Sequence, residues 1–255
     1  MRIRANNPGP MTLSGTNTYV LTSQDDGSAV IIDPGPELAE HRGAFLAEVA
    51  DRDLRAIVLT HQHADHSEML GSIEQWAPEE PVYAVLGRFA RHTDPLSDGD
   101  EIPFGDTAAD VLRVVATPGH TSDSISLIHA GTLYSGDTIL GEGTTIVTHP
   151  EGSLRDYLAS LDRLRALLDA GEYAIIEPAH GPRIDNPAEV IDYYRSHRRE
   201  RIEQVEAALA RGATTASEVC DIVYHDVDVS VRPAAEQIVK AQLAYLDALP
   251  AADDA

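Results

Sequence analysis

Four potential metal ligands fall within six residues of the stretch Thr60-His61-Gln62-His63-Ala64-Asp65-His66-Ser67. On extended backbone, side chains two apart point the same way, so His61 and His63 can close on one ion. The chain then turns into a helix, where Asp65 and His66 can face a neighbouring position. Imidazole nitrogen and carboxylate oxygen suit zinc first, then iron or manganese. The single cysteine, Cys220, lies far along the chain and brings no thiolate to this stretch. Three further ligand-type residues stand beside glycine at expected strand ends. They are His120 in Thr117-Pro118-Gly119-His120-Thr121, Asp137 in Ser135-Gly136-Asp137-Thr138 and His180 in Pro178-Ala179-His180-Gly181-Pro182. Glycine permits sharp turns and close backbone approach, and loops at strand ends are where α/β folds collect catalytic groups.

The elements that must position these side chains alternate along the chain. Short β-branched runs at Thr18–Thr22, Ala29–Asp33, Arg55–Thr60, Val82–Val85, Val111–Ala116, Ser124–His129, a run ending at Ser135, and Tyr173–Glu177 predict strands. Glu37–Asp51 predicts an amphipathic helix, and Ser67–Trp76 a helix following the ligand stretch. Ser153–Ala170 is the clearest helix. Ser153 can cap it, and Leu154, Leu158, Leu161, Leu164, Leu167 and Leu168 form one stripe. From Pro187 onward the pattern is helical, with helices expected at Pro187–Arg211, Ser217–Val223 and Ala234–Leu249. This divides the chain into an α/β part with two sheets, residues 1–186, and a helical unit, residues 187–255.

The scattered ligand set resembles the metallo-β-lactamase superfamily, of the glyoxalase II-like binuclear type, from about Asn7 to about Asp185. The stretches Asn7–Tyr19 and Ser135–Thr145, and Ser196-His197-Arg198 further on, resemble the beta-lactamase-like protein 2 group, which includes a single-strand-directed endoribonuclease. The resemblance implies a four-layer αββα sandwich with a small C-terminal winged-helix-like unit. It also implies two divalent ions, with zinc expected and iron or manganese as alternatives. By the family's pattern His61, His63 and His120 hold the first ion, Asp65, His66 and His180 the second, and Asp137 bridges. Asp33 matches the aspartate that steadies the ligand loops. Two such ions share one water and lower its pKa to near 7, and Asp65 orients the resulting hydroxide and accepts its proton. Asp65 and Asp137 are therefore the expected catalytic carboxylates. The family usually has glycine before the last ligand histidine, where this chain has Ala179.

Other histidines (His41, His92, His129, His149, His225) lack a spacing partner and read as surface or packing residues. His197 and Arg198 are candidate substrate contacts. Arg198 sits on the apolar phase of its helix, between Tyr194 and Ile202, where a guanidinium could reach a phosphate or carboxylate.

The whole chain limits the function. Its 255 residues carry 42 acidic and 19 basic side chains, for a net charge of -23, and Lys240 is the only lysine. Such a surface repels anions at long range, and acid-rich, lysine-poor chains resemble those of salt-loving organisms. One cysteine permits no internal disulfide, and no apolar run is long enough to cross a membrane, so a cytoplasmic protein is expected. The substrate is then single-stranded RNA, following the resemblance, or a small-molecule ester or thioester, following the ligand set. A diiron redox protein would replace His63 with a carboxylate and add a flavin domain. A nucleic-acid-binding regulator would not need a complete ligand set. Oligomeric state is not legible in the sequence.

Overall fold

Alternation within the β-branched runs decides which residues meet in the core. A computed structural model describes residues 1–228 and 231–249, so residues 229, 230 and 250–255 of the expected segment 187–255 lie outside the described residues. The elements are β1 (Arg2–Arg4), β2 (Asn17–Thr22), β3 (Ser28–Ile32), α1 (Ala39–Val49), β4 (Asp53–Val58), α2 (Ala64–Ser67), β5 (Val82–Tyr83), β6 (Glu101–Pro103), β7 (Val111–Ala116), β8 (Ile125–His129), β9 (Thr132–Tyr134), α3 (Leu154–Asp169), β10 (Ile175–Glu177), α4 (Pro187–Ala210), α5 (Ala216–Val223) and α6 (Arg232–Asp247). Among the described residues, no helix is long and apolar enough to cross a membrane.

Two five-stranded sheets form, ordered β1-β2-β3-β4-β5 and β10-β9-β8-β7-β6. The β3/β4 and β4/β5 pairs are parallel because α1 and the α2 segment cross over between them, whereas β1/β2/β3 is an antiparallel run. All of β3 is buried, as expected of a strand covered on both faces. Its Val30 and Ile32, with Ala56 and Val58 of β4, face Leu112, Val114 and Leu127 of the second sheet. Ala29, Ile31 and Ile57 face Phe45 and Val49 of α1 on the outside. On the far side Leu133 and Ile176 pack under Leu154, Tyr157, Leu161 and Leu164 of α3. The layers are therefore helix, sheet, sheet, helix, as anticipated, and each buried Leu, Ile or Val contributes about 1.5–3 kcal/mol. Ser153 caps α3 by accepting from the Asp156 amide.

The expected helix Ser67–Trp76 differs. One α-turn, α2, passes into a 3-10 stretch over Glu68–Gln75 with a non-helical break at Ser72. Gly71 and Ser72 are poor helix formers, and the Ser72 hydroxyl bonds to the Glu37 carboxylate and to the Met69 carbonyl. Strands β1 and β6, three residues each, are too short to show periodicity.

Helix α4 joins two cores. Ile191 and Tyr194 belong to the α3 cluster, whereas Val205 and Ala208 pack with Val219 and Cys220 of α5 and Val239 of α6. Among the described residues, no strand follows β10.

The turn from β3 into α1 supports the ligand stretch. Gly35 donates to the His66 carbonyl (3.0 Å), and its own carbonyl accepts from the Met69 amide (3.0 Å). His41 packs beneath this turn. Its Nε2 lies 2.7 Å from Thr18 Oγ1, and a Cβ on Gly35 would come within 2.8 Å of it. Burial pushes the His41 imidazole down to about 4, against a backbone hydrogen bond to Pro34. The unfolded chain takes this proton near pH 6.5, so the unfolded state binds more protons between the two values. Stability from the neutral imidazole is complete above pH 6.5 and is lost as pH falls towards 4. Urea denaturation should therefore show a smaller acid loss between pH 7 and 4 for His41→Gln than for the unsubstituted protein, by roughly 2 kcal/mol. Equal losses would refute the assignment.

Candidate metal centre

Loops leaving β4, β7, β9 and β10 converge at one edge of the sandwich. Short backbone bonds tie them together. The Ile125 amide donates to the Thr60 carbonyl (2.9 Å) across the two sheets, Asn17 to the Ala179 carbonyl (2.7 Å), and Ala179 to the Gly136 carbonyl (3.1 Å). Asn17 also ties the His180 loop through its side-chain amide, to the carbonyls of Pro178 (2.9 Å) and Gly181 (3.0 Å). Ala179 is buried and is not among the positive-φ residues, so alanine serves where the family usually has glycine.

The seven sequence-predicted ligand residues meet in two groups. His61, His63, His120 and Asp137 form one, and Asp65, His66 and His180 the other, with donor atoms in each group within 4.8 Å of one another. Asp137 spans both. Its Oδ2 lies 3.9 Å from His61 Nε2 and 3.6 Å from His120 Nε2, and its Oδ1 lies 3.6 Å from His66 Nε2 and 3.3 Å from His180 Nε2. Asp65 Oδ2 is 3.3 Å from both His66 Nε2 and His180 Nε2.

The outer ring atoms fix the tautomers. His120 Nδ1 donates to the Ile146 carbonyl (2.7 Å) and His180 Nδ1 to the Gly15 carbonyl (3.3 Å). His66 Nδ1 donates to Asp33 Oδ2 (2.9 Å). Thr60 Oγ1 gives its hydrogen to the same carboxylate (2.7 Å), so at the 3.1 Å contact between them His61 Nδ1 donates to Thr60 Oγ1. His63 turns the other way, with Nε2 3.4 Å from Glu151 Oε2. In these tautomers the nitrogen that faces the centre is the one free to give a lone pair to a metal, at His66 and His180 once it has lost a proton. His63 Nδ1 lies 3.0 Å from His61 Nε2 and 2.9 Å from His120 Nε2, a convergence of lone pairs that needs a cation between them. The residues fit an ion on a second count as well. His66 Nε2, His180 Nε2 and Asp137 Oδ1 are buried with no hydrogen-bond partner, a costly condition that coordination would relieve. The clusters suit a dinuclear metal site.

The electrostatics of the two groups differ. Burial, then His66, pushes His61 well below its ordinary value, and burial lowers His120. Burial opposes charge at His66 too, but Asp65, Asp137 and Asp33 outweigh it and raise His66 well above its ordinary value. His180 is raised to about 9, again against burial, mainly by Asp137. Burial would raise Asp65 and Asp137, yet His66 and His180 hold both carboxylates well below the usual range. His61 and His120 are thus held neutral. His66 and His180 face two anions, Asp65 and Asp137, and a cation entering there displaces protons.

Asp33 sits under the centre. It is buried, at φ +50°, and accepts from the Thr60 amide (2.7 Å) in addition to Thr60 Oγ1 and His66. His197 and Arg198 are not brought to the ligands. His197 lies beside the Tyr193 ring, and Arg198 is buried and donates to the Thr145 carbonyl. Sequence reading missed Glu151, which faces His63, and Thr16, whose hydroxyl donates to Asp65 Oδ2 (2.8 Å). It also missed Thr145, whose hydroxyl donates to the Asp137 carbonyl (2.8 Å). Thr16 and Thr145 lay within the stretches Asn7–Tyr19 and Ser135–Thr145 that carry the resemblance, whereas Glu151 lay in no recognisable pattern.

A cavity of about 320 Å³ opens on the ligands. Pro10, Met11, Leu13, Leu140 and Ile146 supply apolar wall, Glu142 adds an acid, and no arginine or lysine lines it among the described residues.

Comparison with known proteins identifies the fold. A profile described as Metallo-beta-lactamase superfamily matches residues 11–170. A protein named Beta-lactamase-like protein 2 homolog from Caenorhabditis elegans is 34% identical over 261 residues, covering 96% of this chain and 83% of that one. A protein named Atrochrysone carboxyl ACP thioesterase from Aspergillus fumigatus is 29% identical over 242 residues, covering 88% of this chain and 73% of that one. The crystal structure of a metallo-beta-lactamase family protein from Thermus thermophilus superposes with a TM-score of 0.77 at 23% identity, covering 97% and 92% of the two chains.

One glycine is decisive for the His120 loop. Gly119 has φ +136°, and a Cβ there would overlap the backbone of Tyr157 in α3. Gly119→Ala should cost about 2–4 kcal/mol in chemical denaturation, from overpacking and strained φ. It should also lower metal content, because His120 moves with the loop. A stable variant with unchanged metal content would show that the loop yields instead.

Proposed function

Since the chain belongs to the metallo-beta-lactamase superfamily, whose members are metal-dependent hydrolases, we propose that it hydrolyses an ester or thioester carrying an apolar acyl group. The single observation that carries this reading is the cavity beside the ligands, which has apolar walls, one acid besides the ligand carboxylates Asp65 and Asp137, and no arginine or lysine among the described residues. A polyanion such as RNA needs cations at its phosphates, and a net charge of -23 repels it further. An uncharged acyl chain loses nothing in such a cavity and gains from burial. The thioesterase name of one relative points the same way.

His61, His63 and His120 would hold one ion, Asp65, His66 and His180 the other, and Asp137 would bridge them. The donor set favours zinc, with iron or manganese as alternatives. Two such ions would supply a water acidic enough to attack at neutral pH and would polarise the acyl oxygen. Asp65 lines the cavity, where its carboxylate would orient the attacking water and, by the family's pattern, accept its proton. Thr16 fixes that carboxylate from behind. Leu140 and Ile146 seat the acyl chain and exclude bulk water from the cleaved bond. The products are a carboxylic acid and a thiol or alcohol. In this reading residues 1–186 are the catalytic part and residues 187–255 a helical, winged-helix-like unit, of which Ile191, Tyr194 and Ala241 pack against α3.

A second reading, a single-strand-directed endoribonuclease, is favoured by the resemblance of Asn7–Tyr19 and Ser135–Thr145 to the beta-lactamase-like protein 2 group and by the relative of that name. The two separate in one assay. Zinc-loaded protein should hydrolyse acyl thioesters, faster for apolar acyl groups than for charged ones, and leave single-stranded RNA intact at low and high salt. Asp137→Ala should drop from two bound ions to one or fewer and lose activity by about 100-fold or more. RNA cleavage that disappears in Asp137→Ala, without thioester turnover, would establish the second reading.

A further inference from the structure

Arg198 is nine-tenths buried on α4, and no carboxylate pairs with it among the described residues. Its guanidinium donates to the Thr145 carbonyl and lies over the Tyr157 ring, 5.2 Å from the centroid. Its Nε is buried with no partner. Keeping a cation in such a place is costly, and an apolar side chain of similar volume would fill the space at less expense in desolvation. What the guanidinium touches is the loop that leaves β9. Thr145 Oγ1 donates to the Asp137 carbonyl (2.8 Å) and contacts the Thr138 carbonyl (3.2 Å). The next residue, Ile146, gives its carbonyl to His120 Nδ1 (2.7 Å). Tyr157 of α3, beneath the guanidinium, donates to the Thr138 carbonyl (2.7 Å), and Tyr194 of α4 accepts from the Leu140 amide (2.9 Å).

We propose that Arg198 is a positioning residue: by holding the Thr145 carbonyl it sets the loop 137–146, and through it both the bridging Asp137 and the orientation of His120. The helical unit after Pro187 thereby acts on the ligand geometry without touching the ligands, and the same loop carries Leu140 and Ile146 of the cavity wall. This role rests on the two-ion reading.

The test is a zinc titration of the full chain against a competing chelator, with helicity and urea stability recorded alongside. The unsubstituted protein should bind two zinc ions. Arg198→Met should keep its helicity and bind zinc about 10–100-fold more weakly, the effect of removing a group that orients a ligand. Arg198→Lys, which can still donate to the carbonyl, should recover part of that loss. Thr145→Val, which cuts the link to the Asp137 carbonyl from the other side, should weaken zinc binding in the same way and decides the matter if Arg198→Met does not fold. Val205→Ala, on the same helix but in the α5–α6 core, should lose stability with unchanged zinc affinity. Zinc affinity unchanged in both Arg198→Met and Thr145→Val, or weakened equally by Val205→Ala, would overturn the positioning role while leaving the two-ion reading intact. An unsubstituted protein that binds no zinc, iron or manganese would instead overturn that reading, and this role with it.

Discussion

Desolvation of a crowded set of imidazoles and carboxylates is the constraint around which the rest is organised. His61, His66 and His180 are almost fully buried, and Asp137 lies against all three. Such groups are costly to bury unless each polar atom has a partner. The chain supplies partners only on the outer side. Asp33, Thr60, Gly15 and Ile146 occupy the outer nitrogens of His66, His61, His180 and His120. The inner nitrogens are left facing one another. This split, satisfied outside and unsatisfied inside, is what makes the cluster a place for cations rather than a polar core.

Holding unsatisfied groups at close quarters needs a rigid frame, and the two sheets provide it. Strand β3 and the Ala56–Val58 end of β4 are buried on both faces, so these ends cannot shift without disturbing two apolar layers. The ligand loops are short continuations of strand ends, cross-tied by the Asn17, Ala179 and Ile125 amides. Asp33 binds the end of β3 to Thr60, beyond the end of β4, and to His66, so one carboxylate couples frame and ligand. The αββα arrangement is therefore the means by which the dense ligand stretch and three distant single residues reach one point.

This explains what was legible in the sequence. The stretch His61–His66 stood out because four donors in six residues at a strand-to-helix junction have little other use. His120, Asp137 and His180 could be found because glycine flanks each at a strand end, and Gly119 has its expected geometric reason in the close approach of Tyr157. The groups that orient the ligands were hidden for two physical reasons. Several are backbone carbonyls, such as those of Gly15 and Ile146, which any residue offers. Others, such as Glu151 and Thr145, are lone polar residues in loops, with no periodicity to mark them. Arg198 was noticed for its odd place on an apolar helix face, but sequence could not say whether it pointed to a substrate or to a carbonyl. The 3-10 stretch after α2 escaped because its break at Ser72 depends on Glu37, a residue distant in sequence.

Charge also separates the surface from the interior. The acidic exterior and a cavity wall without arginine or lysine among the described residues both work against a phosphate-rich ligand. Arg198 lies behind the cavity wall, with its charge spent on a carbonyl and a tyrosine face. Its charge thus bears on the loop 137–146 rather than on a bound molecule. That loop is at once cavity wall, source of Asp137 and hydrogen-bond partner of His120. A ligand pressing on Leu140 or Ile146 therefore bears on the same backbone that sets the ligand residues, so in the proposed enzyme substrate fit and metal geometry are mechanically one property.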